Sequence, residues 1–129
     1  MAVQSNLQKP IFDTQQLNAL IIDSIQDKKG KKILKLDLRH LQERPADYFI
    51  ICEADSPTQI HAIIHHIYRN VKDRSLTTPL HIEGISSGTW SLLDYFDTVV
   101  HVFYPETRLH YNLESLWSDA HIEEYEDVA

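Results

Sequence analysis

The chain has 129 residues, a formal net charge of −7 and a hydrophobic content of 43%. A chain of this length buries about two thirds of the surface its unfolded form exposes, so it can close one core without disulfide or metal staples. Its single cysteine, Cys52, has no partner for an internal bridge, and phosphate-binding loops are nearly excluded with only three glycines.

A lone cysteine in an apolar run points to a reducing compartment. Residues 1–10 carry neither a basic nor an apolar leader segment. No apolar run approaches the roughly 20 residues that span a bilayer. A cytoplasmic location and no membrane association are expected. An acidic surface repels phosphate backbones and attracts cationic proteins, so a basic protein partner with little direct nucleic-acid contact is the natural expectation.

Residues 1–10 show no periodicity and read as frayed. Asp13 can cap a helix, with Gln16 three residues on, and Leu17, Leu20, Ile21, Ser24 and Ile25 form its inner stripe. Lys28, Lys29 and Gly30 close it. Residues 33–38 and 47–52 read as strands, the second apolar on both faces as a covered central strand is. Ser56, Pro57 and Gln59 open a second helix with Ile60, Ile63, Ile64, Ile67 and Val71 inward. Residues 80–83 form a short strand, and 90–95 and 99–104 an antiparallel hairpin around Phe96, Asp97 and Thr98. A short helix starts at Pro105.

The expected architecture is α/β, a single domain over residues 1–129 with an ordered core at about 11–120 and an acidic tail at 121–129. It holds a five-stranded mixed sheet flanked by helices. From Leu113 to Ala129 six acids occur and no Lys or Arg, which reads as a solvated end or a surface that repels RNA.

Catalytic constellations are weak. His61 and His65 lie i, i+4 on one helix but lack a third ligand at a recognisable spacing. His101 has no nucleophile near it in sequence and reads as a structural or interface histidine rather than a base. Glu53 and Asp55 could begin a two-metal nucleotidyltransferase site, with Asp37 or Asp94 as third acid, yet no phosphate loop precedes them. No cofactor and no catalytic residue are assigned. In the hairpin, Trp90, Leu92 and Asp94 share one face and Ser91, Leu93 and Tyr95 the other. One set is core. The other is either a binding surface of aromatic groups with a polar rim or is itself covered by helices.

Several segments together resemble the ribosomal silencing factor (Iojap-like) family. They are Asp47 to Cys52, Ser56 with Gln59, Glu83-Gly84, Trp90 with Leu92 to Tyr95, Asp97 with Val99 to Phe103, and Pro105-Glu106 with Arg108, Tyr111, Leu113, Glu114, Leu116 and Trp117. The resemblance runs from about Leu17 to Ala120. It implies a nucleotidyltransferase-like fold without catalytic residues. It implies binding to ribosomal protein L-fourteen on the large ribosomal subunit, a steric block to small-subunit joining, and repressed translation under nutrient limitation. A role in large-subunit biogenesis at the same site is the alternative. The implied partner surface holds Trp90, Leu92, Asp94, Tyr95, Phe103 and Tyr104, with Glu83 and Gly84 shaping the approach and Arg108 and Tyr111 bracing it. A monomer or weak homodimer is expected, because an open sheet edge can pair. The chain departs from the family where Phe96 replaces a usual turn glycine and where the Gly84–Gly88 loop is less acidic.

Overall fold

A computed structural model describes residues 13–84, 86 and 88–128. The expectation for residues 1–10 lies outside them. Helix α1 spans Thr14–Asp27, and the Asp13 carboxylate accepts from the Gln16 amide at 2.8 Å. Strands β1 (Lys31–Asp37) and β2 (Tyr48–Glu53) lead to α2 (Pro57–Ser75). The Ser56 hydroxyl caps α2 by accepting from the Gln59 amide, and the Gln59 side chain accepts in return from the Asp55 amide at 2.9 Å. Both helices therefore start where side-chain oxygens satisfy orphan N–H groups.

Strands β3 (His81–Glu83), β4 (Trp90–Asp94) and β5 (Thr98–Phe103) follow, then α3 (Pro105–Tyr111), the single turn α4 (Leu113–Leu116) and β6 (His121–Tyr125). The sheet runs β3-β4-β5-β2-β1-β6. Its centre is the parallel pair β2 and β5, with all other neighbours antiparallel. The expected hairpin is β4–β5.

The sheet has six strands where five were expected. The tail expected to be a solvated end supplies the sixth, paired with β1 from Ile33↔Tyr125 to Asp37↔His121. Lys35 meets Glu123 at 3.1 Å, and the Asp127 carboxylate accepts from the Lys32 amide at 2.8 Å. These contacts hold an acid-rich segment that an isolated reading assigns to solvent.

The two faces of the sheet differ. Helices α1 and α2 cover one with an aliphatic core containing Ile21, Ile25, Ile50, Ile63, Ile67, Leu93 and Val102. The other carries Leu36, Phe49, Ile51, Val99 and Phe103, with Trp90, Leu92, Leu113 and Trp117 packed against them.

Deleting residues 121–129 should lower unfolding stability by about 2 kcal/mol, because a full edge ladder is lost at roughly 1 kcal/mol net or less per bond. Urea melts of the full and shortened chains check this. Equal midpoints would mean that β6 adds nothing.

Candidate partner-docking face

Strand register builds the second face in rows. Trp90, Phe103 and Glu53 lie side by side across β4, β5 and β2. Leu92, His101 and Ile51 form the next row, then Asp94, Val99 and Phe49. Alternation along each strand sends all nine side chains to the same side. The Trp90 ring stacks on Phe103 at 4.9 Å and meets Tyr111 at 4.6 Å. Phe49 meets His101 edge-on at 4.7 Å and Trp117 at 6.2 Å.

His101 ties this row together. The Trp90 indole Nε1 donates to His101 Nδ1 at 3.2 Å. Indole can only donate, so His101 is neutral with its proton on Nε2. That Nε2 is buried with no partner among the described residues. Burial pushes the imidazole from 6.5 down to about 4.

Arg108 fixes the covering segment. It is only 7% exposed. Its Nε donates to Glu114 at 3.0 Å, and its Nη1 to the Lys32 carbonyl at 2.8 Å and to Glu53 at 3.2 Å. One guanidinium thus pins α3 and α4 to β2 and to the irregular start of β1, where Lys32 has φ +52°. Leu113 and Trp117 are laid over the aromatic rows as a result.

The expected site residues divide. Trp90, Leu92 and Asp94 are partly buried on this face, and Tyr111 is 50% exposed beside Trp90. Phe103 lies beneath Trp90, fully buried. Glu83 is exposed on β3 opposite Leu92. Gly84, at φ +80°, is held where an added Cβ would sit 1.9 Å from the Trp90 carbonyl oxygen. Only glycine permits that approach, which sets Gly84 against the Trp90 backbone. A shallow cavity of about 480 Å³ opens between Gly84, Trp90, Glu106 and Tyr111.

Tyr95 and Tyr104 do not join this face. Strand alternation turns Tyr95 into the helix-covered core, where burial raises its hydroxyl above the ordinary value. Tyr104 packs against that core too. Arg108 is an internal brace rather than an exposed contact. Phe49, His101 and Trp117 belong to the face but were not among the expected partner residues, although His101 reads as a structural or interface histidine. Extending the alternation to β2 and β5 would have found the first two.

The carboxylates do not converge as a two-metal site requires. Glu53 is engaged by Arg108, and Asp55 lies 3.6 Å from Lys31. Asp37 pairs with Tyr48 and Asp94 with Val99, at the opposite end of the strands from Glu53, about 15 Å away at the usual rise per residue. Asp37 is instead held down to about 2 by its hydrogen bonds with Arg39. His61 and His65 are exposed on α2, and no three His, Cys, Asp or Glu among the described residues are grouped to hold a metal ion. The Cys52 thiol is pushed up to about 12 by burial, far from a nucleophile's range. Among the described residues no helix is long and apolar enough to cross a membrane.

Arg108→Ala should cost about 3 kcal/mol in urea unfolding, since Glu53 and Glu114 lose a buried counter-ion. A change below 1 kcal/mol, on the order of an exposed pair, would contradict the brace. His101 gives a second test. The unfolded chain protonates this histidine near pH 6.5 and the folded chain only near pH 4. Stability is therefore complete above pH 6.5 and falls as pH drops toward 4, by up to about 3 kcal/mol. His101→Gln should flatten the profile in that window, above the range where Asp37 titrates.

The family model described as "Ribosomal silencing factor during starvation" matches residues 12–129. The chain is 35% identical over 117 residues to the protein named ribosomal silencing factor RsfS in Halalkalibacterium halodurans, covering 91% of this chain and 98% of that one. A crystal structure of a Chromobacterium violaceum protein matches with a TM-score of 0.78 at 33% identity, covering 83% of this chain and 88% of that chain. A Mus musculus protein named mitochondrial assembly of ribosomal large subunit protein 1 is 37% identical over 78 residues, 58% of this chain and 34% of its own length. A match over nearly the whole chain, on the same fold, means that the chain belongs to the ribosomal silencing factor family.

Proposed function

We propose that this chain is a non-enzymatic translation repressor that docks its aromatic face on ribosomal protein L-fourteen of the large ribosomal subunit and blocks small-subunit joining by occupying space. The observation that carries the reading is the Trp90–Phe103–Tyr111 stack. It offers a large, rigid, partly exposed aromatic surface; Glu106 lines the cavity beside Trp90 and Tyr111, and Asp94 stands two rows along the same face. Trp and Tyr in such settings dominate protein interfaces. The net charge of −7 supports a cationic partner reached by electrostatic steering.

The same face suits a protein surface better than a nucleic acid, because its acids oppose a phosphate backbone. The compartment is then the one that holds ribosomes, the cytoplasm, and repression matters most when nutrients are scarce. Steric occlusion needs one copy per subunit, which fits a monomer or a weak homodimer. Likeness to a relative named for large-subunit assembly supports a second reading, in which docking at the same place assists biogenesis. Joining assays with mature subunits separate the two readings, since an assembly role alone leaves joining unaffected.

Adding the purified chain to separated subunits should reduce the intact-ribosome peak in a sedimentation profile and leave the chain on the large subunit. Trp90→Ala should weaken that binding by about 2 kcal/mol, close to thirtyfold, as for an interface anchor. Normal folding with undiminished binding would remove Trp90 from the contact.

A further inference from the structure

Phe96, at the tip of the β4–β5 hairpin, has φ +76° and is 71% exposed. A side chain with a Cβ pays strain in that region, which glycine avoids. The conformation is imposed from several sides. Tyr95 N–H donates to the Thr98 carbonyl at 2.8 Å and Asp97 N–H to the Tyr95 carbonyl at 3.0 Å. The Asp97 carbonyl accepts from the Asp47 and Tyr48 amides at 2.9 and 3.0 Å. The Phe96 amide itself donates to Asp94 Oδ1 at 2.8 Å. Every one of these bonds would survive with glycine at position 96.

The other non-glycine residues at positive φ have local reasons. Lys29, Leu76 and Asn112 sit at helix ends, and Lys32 sits at the β1 irregularity. Phe96 has a strained backbone and an exposed ring that does little for the isolated fold. Strain of this kind persists where function uses it.

Its surroundings indicate what the ring meets. A shallow cavity of about 390 Å³ beside it is lined by Arg44, Pro45, Asp47, Asp94 and Asp97. Arg44 is engaged by Asp47 at 3.0 Å, which leaves Asp94 and Asp97 as the local charge excess. Asp94 belongs to the rows of the aromatic face, and Ala46, on the same cavity wall, belongs to that face's core. The tip is therefore continuous with the docking face.

We propose that Phe96 is a second anchor of this interface, inserting into an apolar dimple on a cationic protein surface while Asp94 and Asp97 meet its charges. The proposal rests on the docking reading above and extends it beyond the aromatic rows to the hairpin tip. Two substitutions separate ring from backbone. Phe96→Ala removes the ring and keeps the strain. Phe96→Gly removes both.

Affinity for purified large ribosomal subunits should fall about tenfold or more in both variants, as expected for a lost aromatic anchor. The melting temperature should rise by a few degrees in Phe96→Gly alone. Trp90→Ala is measured alongside. If it loses binding while both Phe96 variants bind like the parent, the anchor is overturned and the docking face stands. If all three bind like the parent, both fall. Phe96-dependent binding to protein-free ribosomal RNA would overturn the choice of a protein partner.

Discussion

A single buried guanidinium decides the shape of the second sheet face. Arg108 reaches Glu53 on β2, the Lys32 carbonyl on β1 and Glu114 on α4. A buried arginine is costly to desolvate unless its donors are engaged, and here three acceptors, two of them carboxylates, engage Nε and Nη1. The consequence is geometric as much as energetic. The segment from Pro105 to Leu116 has little hydrophobic content of its own to bury, and Leu109 and Leu116 remain exposed. Without the guanidinium it would have few reasons to lie where Tyr111 meets Trp90 and Trp117 meets Phe49.

That constraint explains the difference between the two faces. The helix side is closed by branched aliphatic residues from α1, α2 and the sheet, which interdigitate and leave little outside. Among the described residues the other side receives two short helical segments and the loop carrying Leu38, Leu41 and Ala46, too little to cover it, so Trp90 and Tyr111 are stacked and left partly open. Aromatic rings tolerate this better than aliphatic groups, because stacking and the Trp90–His101 hydrogen bond satisfy them without full burial. His101 is the price of the arrangement: it accepts from Trp90 and keeps a neutral ring in an apolar slot.

Much of this was legible in the chain. Helix starts at Asp13 and Ser56 follow from side chains that accept from amides three residues further on, a local rule that tertiary structure did not disturb. The β4–β5 hairpin and the division of Trp90 from Leu93 follow from alternation alone. The same alternation assigns Tyr95 to the side opposite Trp90, and grouping them by their shared motif was what misplaced it. For Phe49 and His101, alternation within β2 and β5 groups each with its own strand's face, and the parallel β2–β5 register, a long-range fact, joins those faces to that of Trp90. The β6 strand was hidden because its five residues show no run of apolar alternation, with Glu123 and Glu124 between Ile122 and Tyr125, and its position is set by partners such as Lys35 and the Lys32 amide far away in sequence.

The placement of β6 bears on where the molecule can bind at all. An open sheet edge is a pairing site unless something discourages it. At one edge β6 brings Glu123 and Glu124 and is followed by Glu126 and Asp127, so a second copy of this acidic chain approaching there meets like charge. At the other edge β3 has three residues, too few for a durable ladder. Neither edge invites extension of the sheet. What the fold leaves open is the side-chain surface running from Tyr111 through Trp90 to Asp94, and a surface of that kind recognises a partner by shape and charge. On the docking reading proposed above, the arrangement suits occupancy rather than chemistry: Glu53 and Asp55 stand in ion pairs, Asp37 and Asp94 lie at the opposite end of the strands, the Cys52 thiol is sealed in the core, and Trp90 and Tyr111 stay partly exposed.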